Sequence, residues 1–491
     1  MDGISASPAQ TTPRVLRNAS LLVLAQAVVA PISVLVNGVA ARALGVVDFG
    51  RYYQALTFAS FVFLFVEWGQ PNVLTANVAR NRRAAGELLG SAIVFRVGTA
   101  AIAGAVVPGI CAVCGYDRDF VYILALAMLS ATFATVSGAC QDALRGFERT
   151  DFAAASYVGW QLLSAAAVVP TLLLGGGVHG LLIAQVSCAA LGTGFVLKMT
   201  PRMRVPKLSV RWEVVKNLVR SGQPFLWFAL VLMLQPMVDA AMLSKFSAAE
   251  GLGWYAVARK LVGVLTYPAS ALLAALYPTL CRLHKEDMDA FRNTTADALY
   301  IVTIVVIPIA LGCALFPELG VAIFGQLNYG PANDDLRMLA PYILLVYFSM
   351  PIGSCLASSG RQTSWTVLQF NCVILSALLD PPLIRWFQMH AGNGGLGVCV
   401  ATVFSEALMV IGGVWLLPKG ILAKLPRAKA LAALLSGACM ILVALLSTPL
   451  TVAMRAVLAL LAYAVCLQLS GGANLLQLRS LLDRVRRPLA S

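Results

Sequence analysis

Long apolar runs recur through this chain and restrict it to one class of protein. Segments of about twenty residues with few charges follow one another from Leu21 to Leu469, and each could cross a hydrocarbon core of roughly 30 Å as a helix. About a quarter of the residues of a soluble globular protein are charged, whereas only 12% of this chain is charged and 59% is hydrophobic. The chain is therefore expected to be an all-α, polytopic membrane protein.

Turn residues and charges divide the apolar sequence into fourteen expected membrane-spanning helices. They cover residues 19–43, 51–76, 87–113, 119–143, 152–174, 178–199, 221–245, 252–280, 293–316, 336–358, 363–387, 395–417, 430–448 and 451–470. Gly45 and Gly50 lie between the first two spans and are expected to permit the turn that joins them. The connections are short, and none is long enough to form a soluble domain.

Basic residues concentrate in every second connection and predict the orientation of the chain. One set of connections holds groups such as Arg80, Arg82 and Arg83, whereas the opposite set offers little beyond Arg118 and Arg337. Because Lys and Arg are retained on the cytoplasmic side, both termini are expected in the cytoplasm. The same bias explains the net charge of +14 without a nucleic-acid partner.

The two halves of the chain resemble each other. Asp48, Gly50, Tyr52 and Ala55 correspond at nearly one offset to Glu250, Gly253, Tyr255 and Ala258. The pattern predicts two six-helix lobes related by a parallel pseudo-twofold axis, with two further helices after them. The expected domains are an N-terminal cytoplasmic tail (1–18), an N-lobe (19–200), a basic inter-lobe loop (201–220), a C-lobe (221–417), spans thirteen and fourteen (430–470) and a basic cytoplasmic tail (471–491).

Three stretches carry a resemblance to a known family. The sequences Ala41–Gly45, Phe49–Tyr52 and Trp68–Arg80 are similar to those of the polysaccharide (O-antigen/exopolysaccharide) flippase family, of the Wzx type, within the multidrug/oligosaccharidyl-lipid/polysaccharide exporter superfamily. The resemblance implies two lobes around a hydrophilic cavity that opens alternately to each side. In relatives that flip the peptidoglycan precursor, the two additional helices form an apolar groove for the lipid tail.

The resemblance also implies a substrate and a location. The chain would translocate an undecaprenyl-pyrophosphate-linked oligosaccharide across the bacterial inner membrane for surface polysaccharide biosynthesis, without a cofactor and without enzymatic catalysis. Its partners would be that substrate, membrane lipids, a polysaccharide polymerase and a chain-length regulator. The sequence does not reveal the sugar, the energy source or the oligomeric state.

Cations inside the spans are the candidate substrate-binding residues. A charge at the bilayer centre costs about 2.5–3.5 kcal/mol on insertion scales, so it calls for a partner or an aqueous cavity. Arg96, Arg259, Lys260 and Arg42 could bind the lipid pyrophosphate, and Arg offers a bidentate fork for it. Replacing Arg96 or Arg259 by Ala should then abolish export and leave the protein in the membrane.

A purely structural interpretation remains open beside this one. Glu67 could pair with Arg96, and Asp239 with Arg259 or Lys260, which would only hold helices together, while Arg42 could extend to the membrane surface. Glu67, Asp239 and Glu406 are also candidates for a coupling ion or proton. Helix breaks at Gly69–Pro71, Gln235–Pro236 or Asp380–Pro382 could free backbone carbonyls toward a cavity, although a proline in a membrane helix is more often only a kink.

Two other functions are alternatives to the flippase. A drug or cation antiporter of the same superfamily should have an acidic or aromatic cavity and usually twelve spans. A membrane polysaccharide polymerase or glycosyltransferase should have larger outer loops, and no paired acid and base for catalysis is evident here. The chain lacks a GxxxxGK[ST] phosphate loop, and its three His make a His-based metal site unexpected.

Overall fold

The computed structural model describes residues 8–200, 205–325 and 327–472, and the regular structure of these residues is helical, with no strand. Thirteen helical segments in this part of the chain are long and apolar enough to cross a membrane. The expectation of an all-α polytopic membrane protein is confirmed. Residues 1–7 and 473–491 of the expected tails, and residues 201–204 of the expected inter-lobe loop, lie outside the described residues.

Sixteen α-helices form the described chain. They are α1 (Pro8–Glu67), α2 (Gln70–Arg80), α3 (Ala85–Val113), α4 (Arg118–Gly146), α5 (Thr150–Leu173), α6 (Gly177–Met199), α7 (Trp212–Phe246), α8 (Ala249–Leu265), α9 (Tyr267–Glu286), α10 (Met288–Leu315), α11 (Pro317–Val321), α12 (Ala332–Ser358), α13 (Gln362–Ala391), α14 (Gly395–Leu416), α15 (Arg427–Leu446) and α16 (Val452–Leu469).

The first helix is broken at Gly45, and this break accounts for the count of thirteen. The segment Val28–Arg80 has 53 residues, or about 80 Å of helix, more than twice the thickness of the hydrocarbon core. Gly45 has φ 77° and ψ 176°, which is not a helical conformation, while the rest of α1 is helical. Dividing the segment at Gly45 gives two spans, so the expected first two helices are present. Gly50 is itself helical and takes no part in the break.

Replacing Gly45 by Ala is expected to destabilise the protein by about 1–3 kcal/mol, because the backbone conformation at this residue is accessible almost only to glycine. A Cβ added at Gly45 would meet no atom within 4 Å, so the penalty would be conformational and not steric. Gly98 in α3 also has open space around it but is helical, and Gly98→Ala is the control. Thermal unfolding of the two purified variants measures the difference. Equal melting temperatures would contradict the conclusion that the backbone at Gly45 requires glycine.

The chain divides into two compact units, Met1–Ala241 and Met242–Ser491. In the first unit, α4 packs against α1, α2, α3 and α6. In the second unit, α12 packs in the same order against α8, α9, α10 and α14. The two units thus repeat one internal arrangement of helices, although the exact domain bounds expected from the sequence stay a prediction.

The connection before α7 lies on α3 within the first unit. The Arg211 backbone nitrogen donates to the Ser91 hydroxyl at 3.2 Å, and the Arg211 guanidinium pairs with Glu87 at 3.1 Å. A Cβ added at Gly90 would overlap the Ser209 carbonyl oxygen, and one at Gly86 would overlap the backbone of residues 206–207. Glycines therefore let this connection approach the backbone of α3 closely.

The two C-terminal helices pack on α10 in the second unit. Their apolar cluster joins Ile307 and Phe316 to Met440 and Tyr463. The Tyr463 hydroxyl donates to the Ile304 carbonyl oxygen at 2.8 Å. This bond satisfies a polar group that would otherwise be buried in an apolar contact.

Candidate functional site

A buried arginine is the centre of a hydrogen-bonded network in the first unit. Arg96 on α3 is 0% exposed. Its Nε donates to Gln70 Oε1 at 3.2 Å, one terminal nitrogen donates to the Thr135 carbonyl oxygen at 2.9 Å, and the other lies 3.4 Å from Asp142 Oδ2. A charge so deeply buried requires such partners, and here they join α2, α3 and α4.

Asp142, the anionic partner of Arg96, was missed in the sequence. Asp142 lies at the end of the expected fourth span, where an acidic side chain is usually solvated. In the structure α4 continues to Gly146, and Asp142 is only 4% exposed. Asp142 Oδ1 also lies 3.4 Å from Arg145, a more exposed cation one turn further along the helix. The sequence signal for this residue was its position three residues before Arg145, because side chains at this spacing are neighbours on one face of a helix.

The break between α1 and α2 positions the amide partner of Arg96. Gly69 has φ 66°, Gln70 begins α2 with Pro71 in its first turn, and the Gln70 side chain is fully buried. The expected helix break at Gly69–Pro71 is therefore present. The other two expected breaks are not, because Pro236 and Pro381–Pro382 lie inside continuous helices.

Glu67 borders a cavity next to this network. The cavity has a volume of about 350 Å³ and is lined by residues of α1 and α4, among them Ser60, Glu67, Ser130 and Thr135. The Thr135 hydroxyl donates to Glu67 Oε1 at 3.0 Å, while the carbonyl of the same residue accepts from Arg96. Carboxylate and hydroxyl oxygens are suitable ligands for a hard cation or a proton.

The expected direct pair between Glu67 and Arg96 is wrong. The ion-pair partner of Arg96 among the described residues is Asp142, and Glu67 reaches the arginine only through Thr135. The reason is geometric: Glu67 is the last residue of α1, and its carboxylate lies at the cavity, whereas the guanidinium lies between α2 and α4.

In the second unit, Arg259 and Glu406 each contact α12. The Arg259 guanidinium on α8 lies over the ring of Tyr342 on α12, 5.3 Å from its centre. Glu406 on α14 is 7% exposed and accepts a hydrogen bond from the Ser349 hydroxyl of α12. Arg259 itself is half-buried, so it remains partly accessible to a ligand.

The other candidate residues lie elsewhere. Lys260 follows Arg259 on α8 and is half-buried, Asp239 on α7 is fully buried, and Arg42 on α1 is exposed shortly before the break at Gly45. The structure therefore joins Glu67 to Arg96 through Thr135, and it places Arg259 and Glu406 each in contact with α12. The assignment of these residues to substrate or ion binding stays a prediction.

A match to a family profile shows the family to which the chain belongs. The profile described as "Polysaccharide biosynthesis protein" matches residues 39–327, more than half of the sequence. The chain belongs to this family. The resemblance expected from the first eighty residues is thereby confirmed, and no curated protein matches the sequence.

Solved structures share the fold of this family member. The structure of the lipid II flippase MurJ in an inward closed conformation superimposes with a TM-score of 0.73 at 13% identity, covering 91% of this chain and 97% of that chain. An inward-facing multidrug resistance transporter of the MATE family and MOP superfamily gives 0.63 at 15% identity, covering 80% and 95%. A MOP superfamily transporter from Pyrococcus furiosus gives 0.59 at 14%, covering 82% and 94%. At these identities the likeness establishes the fold alone.

Proposed function

We propose that this protein is a flippase that moves polyprenyl-pyrophosphate-linked oligosaccharide repeat units across the bacterial inner membrane for surface polysaccharide biosynthesis. The observation that carries the proposal is the match to the polysaccharide biosynthesis family over residues 39–327. The fold shared with a lipid II flippase supports it, because that relative's substrate is also a lipid-linked sugar. Both termini lie in the cytoplasm in this proposal, in agreement with the distribution of basic residues.

The buried charges suit a substrate whose head group is anionic. In the second unit, Arg259 is half-buried and its guanidinium lies over the Tyr342 ring, 5.3 Å from the ring centre. A guanidinium held in this way can offer two parallel donors to a pyrophosphate. Arg96, in contrast, is 0% exposed and donates to Gln70, Thr135 and Asp142. Because Arg259 is partly exposed and Arg96 is not, Arg259 is the first candidate for the head group, and Arg96 is proposed to act by positioning helices.

Glu67 is the proposed coupling residue. It borders the cavity of the first unit together with three hydroxyl side chains, and it belongs to the same hydrogen-bonded network as Arg96. A cation or proton bound at Glu67 would change the charge beside Thr135 and thereby the environment of the arginine. Alternating access driven in this manner requires differential binding of the ion to the two states of the protein.

Deleting the gene is expected to trap lipid-linked repeat units on the cytoplasmic face and to abolish the surface polysaccharide. The physical reason is that a charged, hydrated oligosaccharide does not cross the hydrocarbon core unaided. The measurements are the amount of surface polysaccharide and the leaflet distribution of labelled lipid-linked sugar. Complementation by the wild-type chain is the control. Surface polysaccharide unaffected by the deletion would overturn the proposal.

An antiporter of the same superfamily is the second candidate, because the carboxylate-lined cavity at Glu67 would also suit a cationic drug coupled to an ion. The two candidates differ in the phenotype of the deletion strain. Increased sensitivity to cationic dyes, with normal surface polysaccharide, would favour the antiporter.

A further inference from the structure

An apolar groove on the first unit lies outside the polar network described above. It has a volume of about 640 Å³ and is formed by α4, α5 and α6. Its lining includes Leu144, Phe152, Gly159, Trp160, Gly192 and Met199. Among the described lining residues, Ser137 and Ser156 are the ones with a side-chain hydroxyl, so the groove suits a hydrocarbon ligand.

Glycines give the groove its depth. A Cβ added at Gly192 would lie 2.8 Å from the Trp160 ring, so the indole packs directly against the backbone of α6 at this glycine. At Gly159 a Cβ would meet no atom within 4 Å, because the space beyond it is the groove itself. The volume lies within the range of about 300–1,000 Å³ that is typical of small-ligand sites.

One end of the groove is surrounded by cations. Arg149 lies with its guanidinium 4.3 Å from the centre of the Phe152 ring, a lining residue, and pairs with Asp151 at 3.5 Å. Arg145 and Lys198 directly follow and precede the lining residues Leu144 and Met199, and both are exposed, although Arg145 also lies 3.4 Å from Asp142. A ligand that fits both features carries a long apolar chain and a phosphate at one end of it.

We propose that this groove between α4, α5 and α6 binds the isoprenoid chain of the lipid carrier, with the carrier's phosphate near Arg145, Arg149 and Lys198. The inference rests on the proposed flippase function and names where the lipid tail docks. With the termini in the cytoplasm, these cations lie at the cytoplasmic surface, so the groove holds the chain in the leaflet where the substrate is loaded. One groove takes one chain, whereas a phospholipid would leave its second chain outside.

Photocrosslinking of the full-length protein in nanodiscs tests the proposal. The probe is a polyprenyl phosphate with a diazirine in the part of its isoprenoid chain nearest the phosphate, in a bilayer of phosphatidylethanolamine and phosphatidylglycerol. Labelled peptides are mapped by mass spectrometry and are expected to contain residues 152–163 and 191–199. A diazirine-labelled phosphatidylglycerol at the same mole fraction is the competing lipid and should not label these peptides preferentially.

Filling the groove provides the matched variant pair. Gly159→Trp places an indole in the groove and should reduce labelling of these peptides at least about tenfold, the effect of losing ~1.4 kcal/mol of binding. Gly194→Trp is the control, because Gly194 on α6 also has open space around it but does not line the groove. Unchanged labelling in Gly159→Trp, or equal labelling by phosphatidylglycerol, would overturn the proposal.

The outcome is separable from that of the flippase proposal, because crosslinking measures binding and not transport. Selective labelling that Gly159→Trp removes, in a strain whose surface polysaccharide does not require the gene, would retain the groove and reject the flippase. Polysaccharide that requires the gene, with labelling spread over the whole lipid-facing surface, would reject the groove alone.

Discussion

Replacing Arg96 by Gln is expected to lower the apparent melting temperature of the purified protein by on the order of 10 °C. The substitution removes the cation that faces Asp142 and leaves that carboxylate, 4% exposed, with the more exposed Arg145 as its remaining ion-pair partner. Breaking a buried ion pair from one side typically costs about 3–5 kcal/mol, since the other charge stays buried without compensation. Less protein in the membrane should therefore accompany any loss of export, in contrast to the expectation from the sequence.

The double variant Arg96→Gln/Asp142→Asn distinguishes a buried pair from a general loss of packing. Removing both charges should recover part of the stability, so the two substitutions should be non-additive by about 0.5–3 kcal/mol. Arg145→Gln is the matched control, because Arg145 lies at the same 3.4 Å from Asp142 but is 42% exposed. Exposed pairs contribute only about 0–1 kcal/mol. Wild-type stability of Arg96→Gln would contradict the structural role.

Replacing Arg259 by Ala is expected to reduce export of surface polysaccharide by at least about tenfold while the protein stays in the membrane. A hydrogen bond from a charged donor is worth about 1.5–3 kcal/mol, and about 1.4 kcal/mol corresponds to tenfold in binding. Arg259 is only half-buried, so its removal opens little core. Export is measured as surface polysaccharide per amount of membrane-embedded protein.

Two further variants control for this result. Arg259→Lys keeps the charge but loses the planar fork, so it should restore export only in part. Arg385→Ala removes another arginine of the second unit that lies over an aromatic ring, at 4.7 Å from the centre of Phe246. Arg385 is exposed and lies apart from the predicted site, so its removal should leave export unchanged. Full export by Arg259→Ala would remove this residue from the substrate site.

The membrane-spanning helices could be predicted because they depend on local composition. An apolar run of sufficient length must form a helix in the bilayer, since each backbone polar group has to be satisfied within the segment. The break at Gly45 was likewise visible as a glycine between two runs. The fourth helix was expected to end at residue 143, and its continuation to Gly146 depends on packing of Gly146 against Val78 of α2.

The partners of the buried charges could not be predicted from the sequence. Arg96 obtains its partners from residues 26, 39 and 46 positions away in the chain, and nothing local indicates which helices meet. Tyr342, under the Arg259 guanidinium, is an aromatic residue among many in apolar text. The cost of burying a charge therefore indicates which residues belong to the site. Which residues contact one another depends on the packing of α1 to α4 and of α8, α12 and α14, which the sequence does not show.

The connection that lies on α3 has a mechanical consequence for α7. Its backbone touches α3 at Gly86 and Gly90, and hydrogen bonds at Ser91 hold its last residue, Arg211, immediately before α7. The part of the connection that the structure describes, residues 205–211, is thus attached to α3 up to the residue before α7. A displacement of α3 is then expected to move the first turn of α7 with it.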